Sequence, residues 1–177
     1  MTQYAALLRG VNVGGKKVSM AELRSLAESL GYEDVSTYIN SGNLLFRSSK
    51  RAPTLVAELE AAVVSQLGGS TDVVVQSRAQ LKSAVDHNPY PDGDPSRVTI
   101  AFLTGPPAAD AAERIAAVAV DEPFTLAGQT IYVHYTRGLG DSVLAQRFSK
   151  VVGVSATVRN LRTVAKLVEL LDRAAAY

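Results

Sequence analysis

Residues 4–31 read YAALLRGVNVGGKKVSMAELRSLAESLG, and this stretch contains the start of the fold. Its opening run, YAALL, is continuously apolar, as in a strand buried on both faces. A loop rich in glycine and lysine follows at residues 10–17. Ser19 and Glu22 then match the S-x-x-E capping box. That pattern predicts that an amphipathic helix begins after Ser19 and stops at Gly31.

The next segments predict a hairpin, a helix and a further strand. Residues 35–39 and 44–46 flank the turn N-S-G-N at 40–43, which is typical of a β-hairpin. An apolar stripe at residues 53–67 predicts the helix, and DVVVQ at 72–76 the strand. The order is therefore β-α-β-β-α-β, that of a ferredoxin-like unit.

The same order recurs after PYPDGDP at residues 89–95, a proline-rich linker candidate. We predict an α+β fold of two tandem ferredoxin-like βαββαβ subdomains with a C-terminal helix that Asn160 caps. Residues 1–77 would form the first subdomain and 78–96 a short helix with the linker. Residues 97–177 would form the second subdomain and the last helix.

Composition excludes several classes of site. The 177 residues include no cysteine and only two histidines, so we expect neither a metal centre nor thiol chemistry. We also expect no resident cofactor. The formal net charge of +1 gives no overall attraction to nucleic acid, so any basic site must be local.

No membrane partner is expected. The first eight residues lack the basic start of a signal peptide, and no apolar run approaches the length of a membrane span. We therefore expect a soluble cytoplasmic protein. Its oligomeric state is left open.

The glycine-rich loop comes close to a phosphate-binding signature. Residues 10–16 match G-x-x-x-x-G-K, but Lys17 stands where a P-loop needs Ser or Thr to bind magnesium. The dinucleotide signature fails too, because Asn12 replaces its middle glycine. The remaining interpretation is a simpler anion site made of exposed amides and positive charge. The alternative is a connecting loop with solvated lysines.

A second loop is expected beside the first. In a ferredoxin-like unit the first two strands run parallel, so the first loop and the hairpin turn lie at one sheet end. On that basis the predicted ligand-binding residues are Arg9, Asn12, Gly14, Gly15, Lys16, Ser41, Gly42 and Asn43. Taken alone, residues 41–43 would be interpreted as an ordinary turn.

The second subdomain repeats this logic. There the loop RGLGD at residues 137–141 should approach Arg159 and Asn160, where a cation adjoins the amides of a helix start. We include Arg159 and Asn160 among the ligand-binding candidates. The alternative is that Asn160 only caps the helix and binds no ligand. Partial burial of Arg159 would argue against this alternative.

Three blocks of sequence resemble a known family. LLRGVNVGGKKVSMAELRSLAESLGY, TYINSGNLLF and TVRNLRTVAKL are similar to segments of the bacterial domain-of-unknown-function 1697 family. The resemblance implies paired ferredoxin-like subdomains and carries no established activity. The chain departs from the family at Leu161, where many members have Trp, so an aromatic role there is not implied.

Three functions remain after these arguments. The first is binding of a small anionic or phosphorylated ligand at the two adjoining loops. The second is an enzyme of unassigned class acting on a phosphorylated substrate, with Arg9 or Arg159 stabilising charge; no catalytic residue is identified. The third is a nucleic-acid or protein interaction module. Aromatic residues make up only 6% of the chain, which offers few stacking platforms for bases.

Overall fold

The computed structural model describes residues 1–10, 12–13, 16–39 and 42–174, and only the backbone at 12–13 and 16–17. Over those residues the protein is α+β, with six α-helices and two four-stranded antiparallel sheets. In chain order the elements are β1 (Thr2–Arg9), β2 (Asn12–Val13), β3 (Lys16–Lys17), α1 (Met20–Ser29), β4 (Glu33–Tyr38), β5 (Asn43–Ser48), α2 (Ala52–Ala62), a π-helical turn (Val63–Leu67), β6 (Asp72–Ser77), α3 (Arg78–Asp86), β7 (Val98–Leu103), α4 (Ala111–Val118), β8 (Phe124–Ala127), β9 (Thr130–His134), α5 (Val143–Val152), β10 (Ala156–Asn160) and α6 (Leu161–Ala174).

The chain divides into two compact units. One comprises Met1–Lys82 together with Lys166–Tyr177, and the other comprises Ser83–Ala165. The sequence predicts that the whole C-terminal helix belongs to the second half, whereas α6 from Lys166 onward groups with the first unit. The predicted subdomain boundaries stay a prediction. No helix in the described part of the chain is long and apolar enough to cross a membrane.

In the first unit β1 is a central strand. The strand order is β4-β5-β1-β6, and β1 runs antiparallel to both β5 and β6. Because β4 is also antiparallel to β5, β1 and β4 point the same way. The end of β1 therefore lies at the same sheet edge as the turn between β4 and β5.

Alternating residues of β1 build the core of this unit. Tyr4, Ala6 and Leu8 face a cluster that includes Leu23 of α1 and Leu59 of α2, all of them buried. Within each helix the buried residues follow helical spacing, which places one apolar face against the sheet: Leu23, Leu26 and Ala27 in α1, and Leu55, Leu59 and Ala62 in α2. Burying each such leucine contributes about 1.5–3 kcal/mol, so this cluster holds β1 and its two helices together.

The outer strand β4 is irregular. Its pairing with β5 shifts register between Glu33 and Ser36, and Asp34 adopts a φ of 50°. The Arg47 side chain of β5 pairs with both neighbouring carboxylates, at 3.2 Å to Glu33 and 2.9 Å to Asp34. These ion pairs anchor the distorted start of the edge strand.

The second unit repeats the arrangement of strands. Its sheet has the order β10-β7-β9-β8, with every neighbouring pair antiparallel. Ile115 of α4 and Leu144 and Phe148 of α5 pack on one face against Ala101 and Val133. As in the first unit, the helices bury one apolar stripe each and expose the other side.

The start of α1 rests on two reciprocal hydrogen bonds. The Glu22 amide donates to Ser19 Oγ at 3.1 Å, and the Ser19 amide donates to Glu22 Oε2 at 2.8 Å. Replacing Ser19 with Ala should lower the free energy of unfolding by about 1 kcal/mol, because the Glu22 amide loses its acceptor. Chemical denaturation measures this change.

Ser25→Ala is the matched control, because Ser25 is an exposed residue within the same helix. Alanine has the higher helix propensity, so this variant should gain about 0.4 kcal/mol. Equal losses in the two variants would contradict the assignment of the cap.

Candidate functional site

The end of β1 carries the first predicted ligand residue. Arg9 is exposed and lies opposite Asp72 of β6 in the strand register. The Thr71 hydroxyl donates a hydrogen bond to the Arg9 carbonyl, which ties the strand end to the neighbouring segment. The sequence analysis did not single out Thr71. Its position directly before the predicted strand at 72–76 is the feature of the sequence that could have placed it at a strand end.

Gly10 opens the loop that follows. Its φ of 66° lies in the left-handed region, which favours glycine. A Cβ built at Gly10 would meet no described atom within 4 Å. The backbone here is therefore accessible, and a side chain is excluded by conformation rather than by lack of space.

The hairpin turn reaches the end of β1 directly. The Leu8 amide donates to the Gly42 carbonyl at 2.9 Å, one residue before Arg9. Gly42 has a φ of 77°, which again favours glycine. The turn at Gly42 is thus bonded to β1 two residues before Gly10, where the first loop starts.

Asn43 holds this turn from inside. It is fully buried, and its Nδ2 donates to the Tyr38 carbonyl at 3.0 Å. That bond spans the hairpin between the last residue of β4 and the first of β5. The Asn43 side chain therefore shapes the turn from within the protein.

Ile39 enters the same turn in a strained conformation. Its φ is 49°, and its side chain is 50% exposed. A β-branched residue at positive φ is a genuine outlier, costing about 1–3 kcal/mol. Strain of this kind tends to concentrate at functional positions.

The other predicted residues of this loop are described less fully. The backbones of Asn12 and Lys16 belong to the short β2–β3 ladder, in which Asn12 pairs with Lys17 and Val13 with Lys16. Gly14, Gly15 and Ser41 lie outside the described residues.

In the second unit Asn160 is a helix cap. Its Oδ1 accepts a hydrogen bond from the Thr163 amide at 2.8 Å, at the start of α6. Arg159 is half-buried, and its Nη1 donates to the Val158 carbonyl at 3.0 Å. Burial lowers the pKa of the Arg159 guanidinium to about 10. Desolvated charge of this kind is more frequent at functional sites than on open surfaces.

The ends of β9 and β10 meet at one edge of their sheet. His134 pairs with Val98, and Asn160 with Thr99, so both strands end beside the start of β7. The guanidinium of Arg97, which the sequence analysis missed, donates to the Thr136 carbonyl at 2.9 Å. The loop at 137–141 therefore starts at the sheet end where β10 finishes.

A cavity of about 290 Å³ lies beside that loop. An ion pair of 2.5 Å joins two of its lining residues, Arg137 and Asp121. Ser142 caps α5 and donates to Glu122 Oε1 at 2.7 Å. Burial acts to raise the pKa of Glu122, but hydrogen bonds from Ser142 and backbone amides outweigh it and lower that pKa. This acidic lining does not suit an anion.

Comparison with known proteins agrees with the resemblance in sequence. The model of a family described as "Protein of unknown function (DUF1697)" matches residues 1–132. The solved structure of conserved bacterial protein SP0830 from Streptococcus pneumoniae is similar to this chain, with 31% sequence identity and a TM-score of 0.74. The match covers 96% of this chain and 98% of that chain. No curated protein matches the chain.

Removing the Asn43 amide tests its role in the turn. Asn43→Ala should lower the free energy of unfolding by about 1 kcal/mol, because the Tyr38 carbonyl loses the donor that the buried Asn43 side chain supplies. Asn88→Ala is the control, since the Asn88 side chain also bonds to the backbone, here as acceptor from the Tyr90 amide at 3.0 Å, but the residue is only half-buried. Denaturant unfolding should show a smaller loss for Asn88→Ala. Equal losses would contradict a special role for Asn43.

Relieving the backbone strain at Ile39 should stabilise the protein, in contrast to the loss expected for Asn43→Ala. Ile39→Asn should raise the free energy of unfolding by about 1 kcal/mol, because Asn tolerates positive φ far better than a β-branched residue. Val64 offers a comparison, being a similarly exposed apolar residue (56%) in the π-helical turn. Val64→Asn should bring no gain. A stability loss in Ile39→Asn, measured by thermal unfolding, would contradict the strain.

Proposed function

Since the chain belongs to the DUF1697 family, whose function is unknown, we propose a function from its geometry: it binds a small anionic or phosphorylated ligand where β1 ends. The ligand would lie between the loop at residues 10–17 and the turn at 40–43. The observation that carries this proposal is the hydrogen bond from the Leu8 amide to the Gly42 carbonyl, which holds the hairpin turn against the end of β1, where the first loop starts.

The chemistry of the first loop suits an anion. Arg9 supplies an exposed guanidinium, whose planar fork matches phosphate and carboxylate oxygens. Gly10 is exposed and has open space around it, and in the proposal backbone amides of this glycine-rich loop donate to the ligand. In the proposal Lys16 and Asn12 add charge and a polar contact, and Gly14 and Gly15 let the loop approach the ligand closely.

The hairpin turn supplies the facing side. We assign Ser41 as a ligand contact, and Gly42 and Asn43 as the residues that hold the turn in place. The strain at Ile39 supports this assignment, because a turn kept in a costly conformation is a candidate for function. The ligand contacts proposed here belong to the first unit.

We further infer that each unit is a ferredoxin-like βαββαβ module. The support is the strand order: when the strands of each four-stranded sheet are counted in chain order, both sheets run second, third, first, fourth or its reverse. In such a module the first βα loop and the hairpin turn share a sheet end, which is the place proposed for the ligand.

Titration followed by NMR tests the proposed site. Pyrophosphate and adenosine monophosphate should shift the amide signals of Gly10 and Gly42, whereas uncharged adenosine should not. Arg9→Ala should weaken the response at least about tenfold, the effect of losing one charge-assisted hydrogen bond. Arg9→Lys should retain part of the affinity, because charge remains while the fork is lost.

Two controls separate the site from general basicity. Lys17→Ala removes a cation from the same loop and should weaken binding less than Arg9→Ala. Arg51→Ala removes an exposed cation at the start of α2 and should change nothing. The proposal is wrong if neither anion shifts these signals up to about 10 mM, a concentration that would detect even weak binding. An Arg9→Ala variant that folds and binds normally would also reject it.

A further inference from the structure

A groove lies between α4 and α5 of the second unit, whereas the proposed anion site belongs to the first unit. It encloses about 340 Å³ on the second unit. Each helix contributes three lining residues at the spacing i, i+3, i+4, which is one face of an α-helix. The lining residues are Arg114, Ala117 and Val118 from α4, and Arg147, Lys150 and Val151 from α5.

The floor of the groove is aliphatic. Ala117, Val118 and Val151 form it, and none of the described lining residues is aromatic. Val118 also lines the adjoining 290 Å³ cavity, together with Val120 and Val143, whose exposed fractions are 81% and 47%. These exposed valines add apolar surface next to the groove, as is typical of a docking surface, while the carboxylates of that cavity confine an acidic ligand to the groove itself.

The groove also carries positive charge without neutralisation. Arg147 and Lys150 are exposed, and within the described part of the chain neither makes a hydrogen bond or ion pair. Arg114 pairs with Asp110 at 3.1 Å, so its charge is partly satisfied. In a chain whose formal net charge is +1, two unpaired cations beside an apolar floor are a local concentration of charge.

We propose that this groove binds a partner protein through a segment that is both acidic and aliphatic. Aliphatic side chains of the segment would lie on Ala117, Val118 and Val151, and its carboxylates would meet Arg147 and Lys150. Charge complementarity selects an acidic partner. The lack of an aromatic platform in the lining disfavours single-stranded nucleic acid, which depends on base stacking.

Fluorescence anisotropy with a designed probe tests this proposal on the full chain. The probe is a fluorescein-labelled 12-residue peptide of Glu and Leu, with Leu at helical spacing. At about 50 mM salt it should bind with a Kd below about 100 µM. The same peptide with every Glu replaced by Gln should bind at least about fivefold more weakly, and so should the original peptide to Arg147→Gln.

Two neighbouring alanines supply a matched pair of variants. Ala116 and Ala117 are both exposed on α4, but only Ala117 lines the groove. Ala117→Glu should weaken peptide binding about tenfold, because it places a carboxylate on the apolar floor facing an acidic ligand. Ala116→Glu makes the same change in net charge off the groove and should leave binding within about twofold.

Several results would overturn the proposal. One is the absence of peptide binding up to about 1 mM. Another is equal binding of the Glu and Gln peptides, which would remove the role of charge. Equal effects of Ala116→Glu and Ala117→Glu would show that the peptide does not bind in the groove. A 12-nucleotide oligouridylate that binds more tightly than the peptide, with the same dependence on Arg147, would assign the surface to nucleic acid instead.

Discussion

The first unit depends on burying β1. This strand pairs on both sides, with β5 and β6, and its residues 4–8 are all buried. A strand in that position needs apolar side chains on both faces, which is why the YAALL run has no polar alternation. The run stops at Arg9, the first exposed residue after it. The chain thus leaves the core and enters the proposed site within one residue.

The local signals of the sequence predicted much of the secondary structure. The S-x-x-E pattern at Ser19 predicts a helix start through contacts across three residues, and in the structure Ser77 and Gln80 make the same reciprocal contacts at the start of α3. Asn160 acts the same way at α6. Such contacts join residues that are close in sequence, so they can be predicted before any tertiary structure is known. The parallel directions of β1 and β4 were predicted as well, and they place the end of β1 and the turn after β4 at one sheet edge.

Other features depend on packing and left little trace in the sequence. The burial of Asn43 and its bond to the Tyr38 carbonyl require the whole hairpin to be in place. The lowered pKa of Arg159 reflects its surroundings in the folded unit. The aliphatic groove exists only because α4 and α5 lie side by side, since each helix alone shows an ordinary mixed surface. The net charge of the chain does not indicate the groove either, because the acidic residues elsewhere balance Arg147 and Lys150 and leave a formal total of +1.

The irregular start of β4 has a consequence for the protein's behaviour in a crowded solution. An outer strand exposes unpaired amides and carbonyls that can recruit a strand from another molecule. Here the register shift and the positive φ of Asp34 interrupt that row, while charged side chains border it. A foreign strand would find no continuous ladder to extend. The distortion therefore disfavours aggregation by strand addition at this edge of the sheet.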